Sequence, residues 1–247
     1  MQFKNPLDNN KHEISQALME TLPNRRTWIT KENLTICQIF AMYPRLIDYK
    51  GEMIENDFKM IFQGVEDNFI KKFPSYYCPR ILAYAKINSV SVYKRFKHIS
   101  NYSNSTRIKK SVKDKSKKMR LNPDDDDDLV EENMDQTSFL LQVVSEGTSL
   151  SHFIAEFRKK SKANVQPYII CVKGQNRESY FLQGDGWIIK TFDETCAVSA
   201  FDLLFKLYFV LNVCYPSGLL NFYNFMEQFI YKMPGTKVRN VVRSLHI

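Results

Sequence analysis

The sequence is poor in the residues from which most catalytic and metal sites are built. Its 247 residues include only four histidines, which are isolated from one another: His12, His98, His152 and His246. A serine or cysteine nucleophile normally needs a base beside it, and zinc sites need clustered histidine or cysteine ligands. The sequence also lacks the HExxH pattern and the glycine patterns of nucleotide-binding loops. These absences predict a protein that is not an enzyme and holds no cofactor or metal.

Paired cysteines are absent as well. The five cysteines are odd in number, widely spaced and free of any CxxC pair: Cys37, Cys78, Cys171, Cys196 and Cys214. This usage predicts reduced thiols in the core of an intracellular protein, in the nucleus or the cytoplasm. The first ten residues have no apolar stretch, which predicts that the protein is not secreted. The Asn-x-Ser/Thr sequons at Asn33, Asn101 and Asn104 are then interpreted as chance matches.

No apolar run is long enough to predict a membrane span. The most apolar window, residues 201–215, is interrupted by Asp202, Lys206 and Asn212. A spanning helix needs roughly 20 largely apolar residues. We therefore expect a buried helix with no membrane contact, and the i,i+4 spacing predicts that Asp202 and Lys206 pair.

Hydrophobic residues make up 44% of the chain and aromatic residues 13%, which is enough for a sizeable core. The first 106 residues show helical periodicity without alternating strand patterns. The predicted helices cover residues 12–22, ended by Pro23, a segment capped by Thr30 and ended before Pro44, residues 52–62 and residues 81–96, with a turn between Pro74 and Pro79. Arg25 and Arg26 match a phosphate-binding pair, but a solvated pair beside an anchoring Trp28 is the favoured interpretation.

Residues 107–133 form a predicted flexible linker with a basic half and an acidic half. Eight basic and eight acidic residues lie between positions 107 and 132, and blocks of like charge repel and stay solvated. The basic residues are candidates for nucleic-acid contact or nuclear import: Arg107, Lys109, Lys110, Lys113, Lys115, Lys117, Lys118 and Arg120. The aspartates at 124–128 compete for these lysines, so a self-neutralising linker is the favoured interpretation. A solvated acidic run also explains the aspartates better than loose cation binding.

Residues 134–247 form a predicted α+β domain. A short apolar segment at 139–144 precedes a helix that starts at Thr148 or Ser149 and ends in a basic cluster at 158–160. Three runs at 168–172, 179–183 and 187–192 predict an antiparallel meander. The meander is expected to pack on a C-terminal helical hairpin, residues 197–233, joined at 215–218. The residues expected in the core of the whole chain are Trp28, Phe58, Trp187, Phe201, Leu204, Phe205, Tyr208, Phe222, Tyr223, Met226 and Phe229.

Several motifs resemble a known family. They are residues 25–29 (RRTWI), 43–46 (YPRL), 57–58 (DF), 166–169 (QPYI), 198–206 (VSAFDLLFK), 209–211 (FVL) and 215–216 (YP). The pattern is similar to the sterile alpha motif domain-containing protein 3-like family, an animal C-terminal module, over about residues 25–231. The sterile alpha motif itself has no counterpart here, and the resemblance supplies no catalytic or binding residues. The family's large, multiplying gene sets imply an association with mobile elements.

Three functional hypotheses follow from the sequence. The aromatic content and the missing catalytic motifs favour a non-enzymatic interaction or scaffold module with a protein partner. The basic run at 107–120, a basic tail at 232–243 and a sequence pI near 9.1 favour the alternative, a nucleic-acid-associated factor. An enzyme such as a nuclease remnant ranks last. An open edge strand in the meander would be a natural docking site for a partner, and the oligomeric state stays undetermined.

Overall fold

The structure is a computed structural model that describes residues 5–87, 136–161, 166–191 and 196–233. The chain divides into two compact units, one of residues 1–74 and 134–247 and one of residues 75–133. The predicted linker and its basic run lie outside the described residues, so the predicted boundaries at 106 and 134 stay predictions.

The first unit combines helices from both ends of the chain with one sheet. Its helices are α1 (Lys11–Lys31), α2 (Ile36–Met42), α3 (Glu52–Ile61), α4 (Asn68–Lys72), α6 (Leu150–Ser161), α7 (Ala197–Val210) and α8 (Leu220–Phe225), which continues as a π-helix, Met226–Tyr231. Short 3-10 turns cover Asp8–Asn10, Pro44–Ile47, Tyr49–Gly51, Gln136–Phe139 and Ser217–Leu219. Its strands are β1 (Leu141–Ser145), β2 (Tyr168–Lys173), β3 (Glu178–Gly184) and β4 (Trp187–Lys190).

The sheet has the order β1-β2-β3-β4. Strands β2, β3 and β4 form an antiparallel meander, whereas β1 runs parallel to β2 with Leu141 opposite Ile169. A parallel pair cannot be joined by a tight turn and needs a crossover. Helix α6 supplies that crossover between β1 and β2, which explains why an amphipathic helix separates the two strands.

Helix α7 lies at the centre of the unit. It contacts β2 and β3 on one side and α3 on the other, and α1 packs behind α3. Helix α6 covers the opposite face of the sheet, where Phe157 packs with Val144 and Tyr168. Ten of the 14 residues of α7 are buried, because a helix between two layers needs apolar residues on nearly every side. The prediction of an all-round buried helix is confirmed.

Gly51 lets the start of α3 approach α7 closely. Its φ is +91°, which favours glycine. A Cβ built there would lie 2.5 Å from Cδ2 of Leu203 in α7. A side chain at this position would force the Leu203 side chain to move, in addition to the strain of the positive φ.

The second unit is described only over residues 75–87. Helix α5 (Cys78–Ile87) follows a π-helical segment, Phe73–Tyr77. The guanidinium of Arg80 stacks on the ring of Tyr76, 3.6 Å from its centroid. The predicted turn between Pro74 and Pro79 is wrong, because the segment stays helical: Pro74 lies in the π-helical segment and Pro79 is the second residue of α5.

Two predicted helix boundaries are also wrong. Helix α1 runs through Pro23 instead of ending there, because buried Ile14 and Leu18 before the proline and Ile29 after it hold both halves against the core. Helix α2 is capped by Thr35 rather than Thr30. The Thr35 hydroxyl accepts from the Gln38 amide, and the Gln38 side chain accepts from the Thr35 amide, in a capping box.

The α+β class is confirmed, but the expected three-stranded sheet has four strands. The segment predicted only as apolar contains β1, whose side chains alternate between exposed and buried. The predicted second helix of the C-terminal hairpin exists as α8 followed by a π-helix. The π-helix ends at Lys232, which adopts a left-handed conformation with φ of 59°.

Candidate interaction site

The structure describes two of the four histidines and does not bring them together. His12 and His152 are exposed and lie on separate helices, and the other two histidines lie outside the described residues. Within the described ranges, no group of three or more histidine, cysteine, aspartate or glutamate side chains is placed to hold a metal. The basic run from Arg107 to Arg120 cannot be located, since it lies outside those ranges.

Most of the predicted core residues are buried. Those with little exposure are Phe58, Phe201, Leu204, Phe205, Tyr208, Tyr223 and Met226. Trp28, Trp187 and Phe229 are half-buried. Phe222 is 36% exposed, because its ring contacts Phe201 of α7 on one side and borders a surface pocket on the other.

All five cysteines are free thiols, as predicted, but their predicted place in the core is wrong for most of them. Cys171, on β2, is buried, and Cys78 is half-buried. Cys37 is exposed on the outer face of α2. Cys196, directly before α7, and Cys214, in the segment after α7, are also exposed. At the start of α7, burial raises the pKa of the Cys196 thiol, but hydrogen bonds from Ser199 and Val198 outweigh it and lower that pKa.

Arg25 is not a solvated residue or a phosphate ligand. It is 1% exposed, and its guanidinium donates to both carboxylate oxygens of Asp57 at 2.8 and 2.6 Å. The same group donates to the Leu18 carbonyl and the Thr21 hydroxyl. Both bonds to the carboxylate come from Nη2, and the carboxylate belongs to α3 of the same chain, 32 residues away. No local pattern in the sequence indicates that contact.

Arg26 is half-buried and donates to the carbonyl oxygens of Phe209 and Val210. These carbonyls lie in the last turn of α7, where helix ends leave acceptors unpaired and favour cations. Burial lowers the pKa of Arg26, and nearby Asp57 opposes that shift. The arginine pair therefore fixes α1 to α3 and α7, and its interpretation as a solvated pair is wrong.

A second buried polar group joins α7 to α3 and the C-terminal π-helix. Asp202 accepts from Lys206 at 2.6 Å and from the Tyr231 hydroxyl at 2.6 Å, and Glu55 lies 3.6 Å from Lys206. The expected pairing of Asp202 with Lys206 is confirmed. Burial, with the Asp202 charge adding to it, raises the pKa of Tyr231, so its proton stays in the hydrogen bond. The side chains of Asp202 and Lys206 are 3% and 7% exposed, so this pair holds helices together, whereas the Glu55 side chain is 41% exposed and borders solvent.

Strand β1 forms an edge of the sheet with an open side. Leu140 O accepts from Ile169 N, and Glu146 N donates to Lys173 O. Main-chain groups of alternate residues point to opposite sides of a strand, so the even-numbered residues bond β2. The N–H and C=O groups of Leu141 and Val143 therefore point away from the sheet, and no pairing along that side is present within the described residues.

The side chains of β1 leave this edge unprotected. Natural edge strands are usually blocked by lysine, proline, bulges or a covering segment. The strand Leu141–Ser145 has none of these residues and no charge. At the other edge, β4 ends in Lys190 and contacts the turn Tyr49–Gly51. Only the β1 edge thus lacks a blocking device in the part of the chain that the structure describes.

The apolar face of the sheet continues past α7 at β1. Val143 is 59% exposed and Leu141 is 37% exposed, on the same face as Ile169 and Cys171 of β2. Helix α7 contacts the two central strands β2 and β3. The uncovered strip of sheet beside it is consequently apolar and open to solvent.

An apolar pocket of about 240 Å³ borders this strip. Leu141 and Ile169 of the sheet, Phe201 of α7, Phe222 of α8 and Phe69 of α4 contribute to its walls. This volume is below the roughly 300–1,000 Å³ of sites that enclose whole small molecules. Its size and lining suit one large apolar side chain better than a cofactor.

Comparisons with protein-family models, curated proteins and solved structures find no match to this chain. The predicted membership of the sterile alpha motif domain-containing protein 3-like family therefore stays a prediction. A search of the described helices finds none that is both long and apolar enough to cross a membrane.

Proposed function

We propose that this protein is a non-enzymatic interaction module that binds an extended polypeptide segment along the open edge of β1. The observation that carries the proposal is an uncharged edge strand whose outward main-chain groups at Leu141 and Val143 have no partner in the described residues. Strand addition of this kind draws affinity from main-chain hydrogen bonds and specificity from alternate side chains.

The side chains around the edge support the same proposal. An added strand places every second side chain on the face of Leu141 and Val143. That face is exposed and apolar, and the pocket between Phe222 and Ile169 lies beside it. A bound segment would cover apolar surface that stays in contact with water in the free protein, and this burial favours binding.

Five of the described cations give little support to the nucleic-acid alternative, because they are already engaged within the chain. Arg25, Arg26 and Lys206 are directed into the protein interior. Ion pairs engage the more exposed Arg158 with Asp185, at 3.6 Å, and Lys11 with Glu52. Phosphate binding relies on cations that are free to replace counterions, whereas these side chains already contact carboxylates or carbonyls.

The test is a selection of short random peptides displayed on phage against the full chain. We expect enrichment of sequences with alternating apolar residues, since such sequences suit one apolar face of an added strand. Binding of the selected peptides should be lost in a Val143→Pro variant, because proline removes the outward N–H without removing a bond to β2.

The matched control is Val143→Thr, which keeps the N–H and the strand preference of the residue. Selected peptides should bind this variant within a few-fold of the unsubstituted protein. Equal binding to the proline variant, or no enrichment in the selection, contradicts the proposed function. DNA and RNA are tested in parallel at low salt, and tight binding of either with no peptide binding supports the nucleic-acid alternative instead.

A further inference from the structure

We propose that the segment paired with β1 is β1 of a second copy of this chain, so that the two sheets join across a two-fold axis at Val143. This inference rests on the proposed function and names the partner of that same edge. Two observations support the proposal. The outward main-chain groups of β1 determine the register of the pairing, and this register places no like charges opposite one another.

The outward groups define the register of the pairing. In an antiparallel pair, two residues whose main-chain groups face each other exchange both hydrogen bonds. The outward residues of β1 are Leu141, Val143 and Ser145, so the symmetric arrangement places Val143 opposite Val143 of the second copy. Leu141 then lies opposite Ser145 of the other strand, twice by symmetry. Each of these pairs brings together main-chain groups that point away from β2. The Ser145 carbonyl already accepts from Thr148 N at 3.2 Å, so it would share its second lone pair with the added strand, whereas the groups of Val143 have no such contact in the described residues.

The charges agree with self-pairing. Strand β1 carries no ionisable side chain, so no charges face each other within it. Directly after the strand, Glu146 lies opposite Leu140 of the second copy in this register, and the two glutamates are not juxtaposed. Like charges directly opposite each other destabilise a strand pair, and the symmetric arrangement contains none between residues 140 and 146.

The exposed side chains also match a second copy. Val143 is 59% exposed and Leu141 is 37% exposed. Because a two-fold axis applies the same surface twice, the valine and leucine of both strands lie on one continuous face of the joined sheet. The two apolar strips then lie side by side, with the Val143 side chains of both copies as direct cross-strand neighbours, and an edge that would recruit other strands is removed.

The experiment measures the mass of the full chain in solution by sedimentation equilibrium over a wide concentration range. Salt is held near 0.15 M, where the Debye length is about 8 Å, because each copy carries a net charge of +8. We expect a reversible equilibrium between one copy and two. Val143→Lys and Val143→Glu should each weaken association at least tenfold, since the substitution places two like charges opposite each other.

The decisive measurement is made on an equimolar mixture of the Val143→Lys and Val143→Glu variants. It should restore association, because the register puts the lysine of one copy opposite the glutamate of the other. Met60→Lys and Met60→Glu are the matched controls, since Met60 on α3 is 46% exposed and lies away from the sheet. These two variants should associate as the unsubstituted chain does.

Any one of three results overturns the inference. The chain has the mass of a single copy at every concentration, or the Val143→Lys variant associates as strongly as the unsubstituted chain. The third is that the mixture of the lysine and glutamate variants associates no more strongly than either variant alone. If the chain stays a single copy but selected peptides still bind in a manner lost in Val143→Pro, the second copy is excluded and the proposed function stands. If those peptides are also indifferent to the proline, both fail.

Discussion

The buried pair of Arg25 and Asp57 provides the sharpest test of how α1 is held against α3. Both side chains are at most 2% exposed, and the two hydrogen bonds between them are 2.8 and 2.6 Å long. Replacing Arg25 with methionine keeps the apolar bulk but leaves the carboxylate buried without its guanidinium. Breaking a buried pair in this way costs about 3–5 kcal/mol of unfolding free energy.

The assay is urea denaturation followed by circular dichroism, with thermal unfolding as a second measure. At about 2–4 °C per kcal/mol for a chain of this size, the Arg25→Met variant should unfold about 6–20 °C lower. The double variant Arg25→Met/Asp57→Leu should recover most of the loss, since it removes both charges together.

The matched control is Lys71→Met, which breaks the exposed pair with Asp67, whose side chains are 70% and 59% exposed. Exposed pairs contribute about 0–1 kcal/mol, so this variant should be close to the unsubstituted protein. The reasoning is refuted if Arg25→Met costs no more than Lys71→Met, or if the double variant is less stable than Arg25→Met alone.

Three further predictions test other parts of the structure. Gly51→Ala should lower the free energy of unfolding by about 1–3 kcal/mol more than Gly64→Ala, because both glycines have positive φ but only the first faces α7 at close range; equal losses in urea denaturation would contradict this contact. Cys196 should be alkylated by iodoacetamide more slowly in a Ser199→Ala variant, because the lost hydroxyl donor no longer lowers the thiol pKa; an unchanged rate, read by peptide mass spectrometry, argues against it. Burial raises the pKa of Tyr168 to about 12, against an ordinary value of 10.0; above pH 10 the unfolded chain loses a proton that the folded chain keeps, so stability should fall by about 2 kcal/mol between pH 10 and 12, and this part of the fall, followed by urea denaturation, should be missing in Tyr168→Phe.

Periodicity was sufficient to predict the elements that depend on local pattern. The three meander strands and the buried helix α7 follow from short apolar runs and from the charges that interrupt residues 201–215. The partner of Lys206 could also be predicted, because Asp202 lies one helical turn before it. Each of these features is determined by residues that are close to one another in the sequence.

Features that depend on distant contacts could not be predicted in the same way. Pro23 stays inside α1 because packing on both sides of it outweighs one missing hydrogen bond. The carboxylate that holds Arg25 lies 32 residues away. Strand β1 was not predicted, because its five residues alternate only weakly in polarity. Its pairing partner β2 is also separated from it in sequence by a whole helix.

Only part of the candidate site could be predicted from the sequence. An open edge strand was a reasonable expectation, but which strand lies at the edge depends on the order of the sheet. The pocket draws its walls from α4, the sheet, α7 and α8, so its residues span positions 69 to 226. Only the folded arrangement brings Phe69 and Leu141 to one surface.

Amide hydrogen exchange at single-residue resolution tests the central claim most directly, since it reports each main-chain N–H of β1 separately. In dilute protein, the amides of Leu141 and Val143 should exchange quickly, whereas those of Gln142 and Val144 should be protected by their bonds to β2. On association with a second copy or a selected peptide, Leu141 and Val143 should become protected while the other two change little. Protection of Leu141 and Val143 already in dilute protein, or no change on association, would contradict the account.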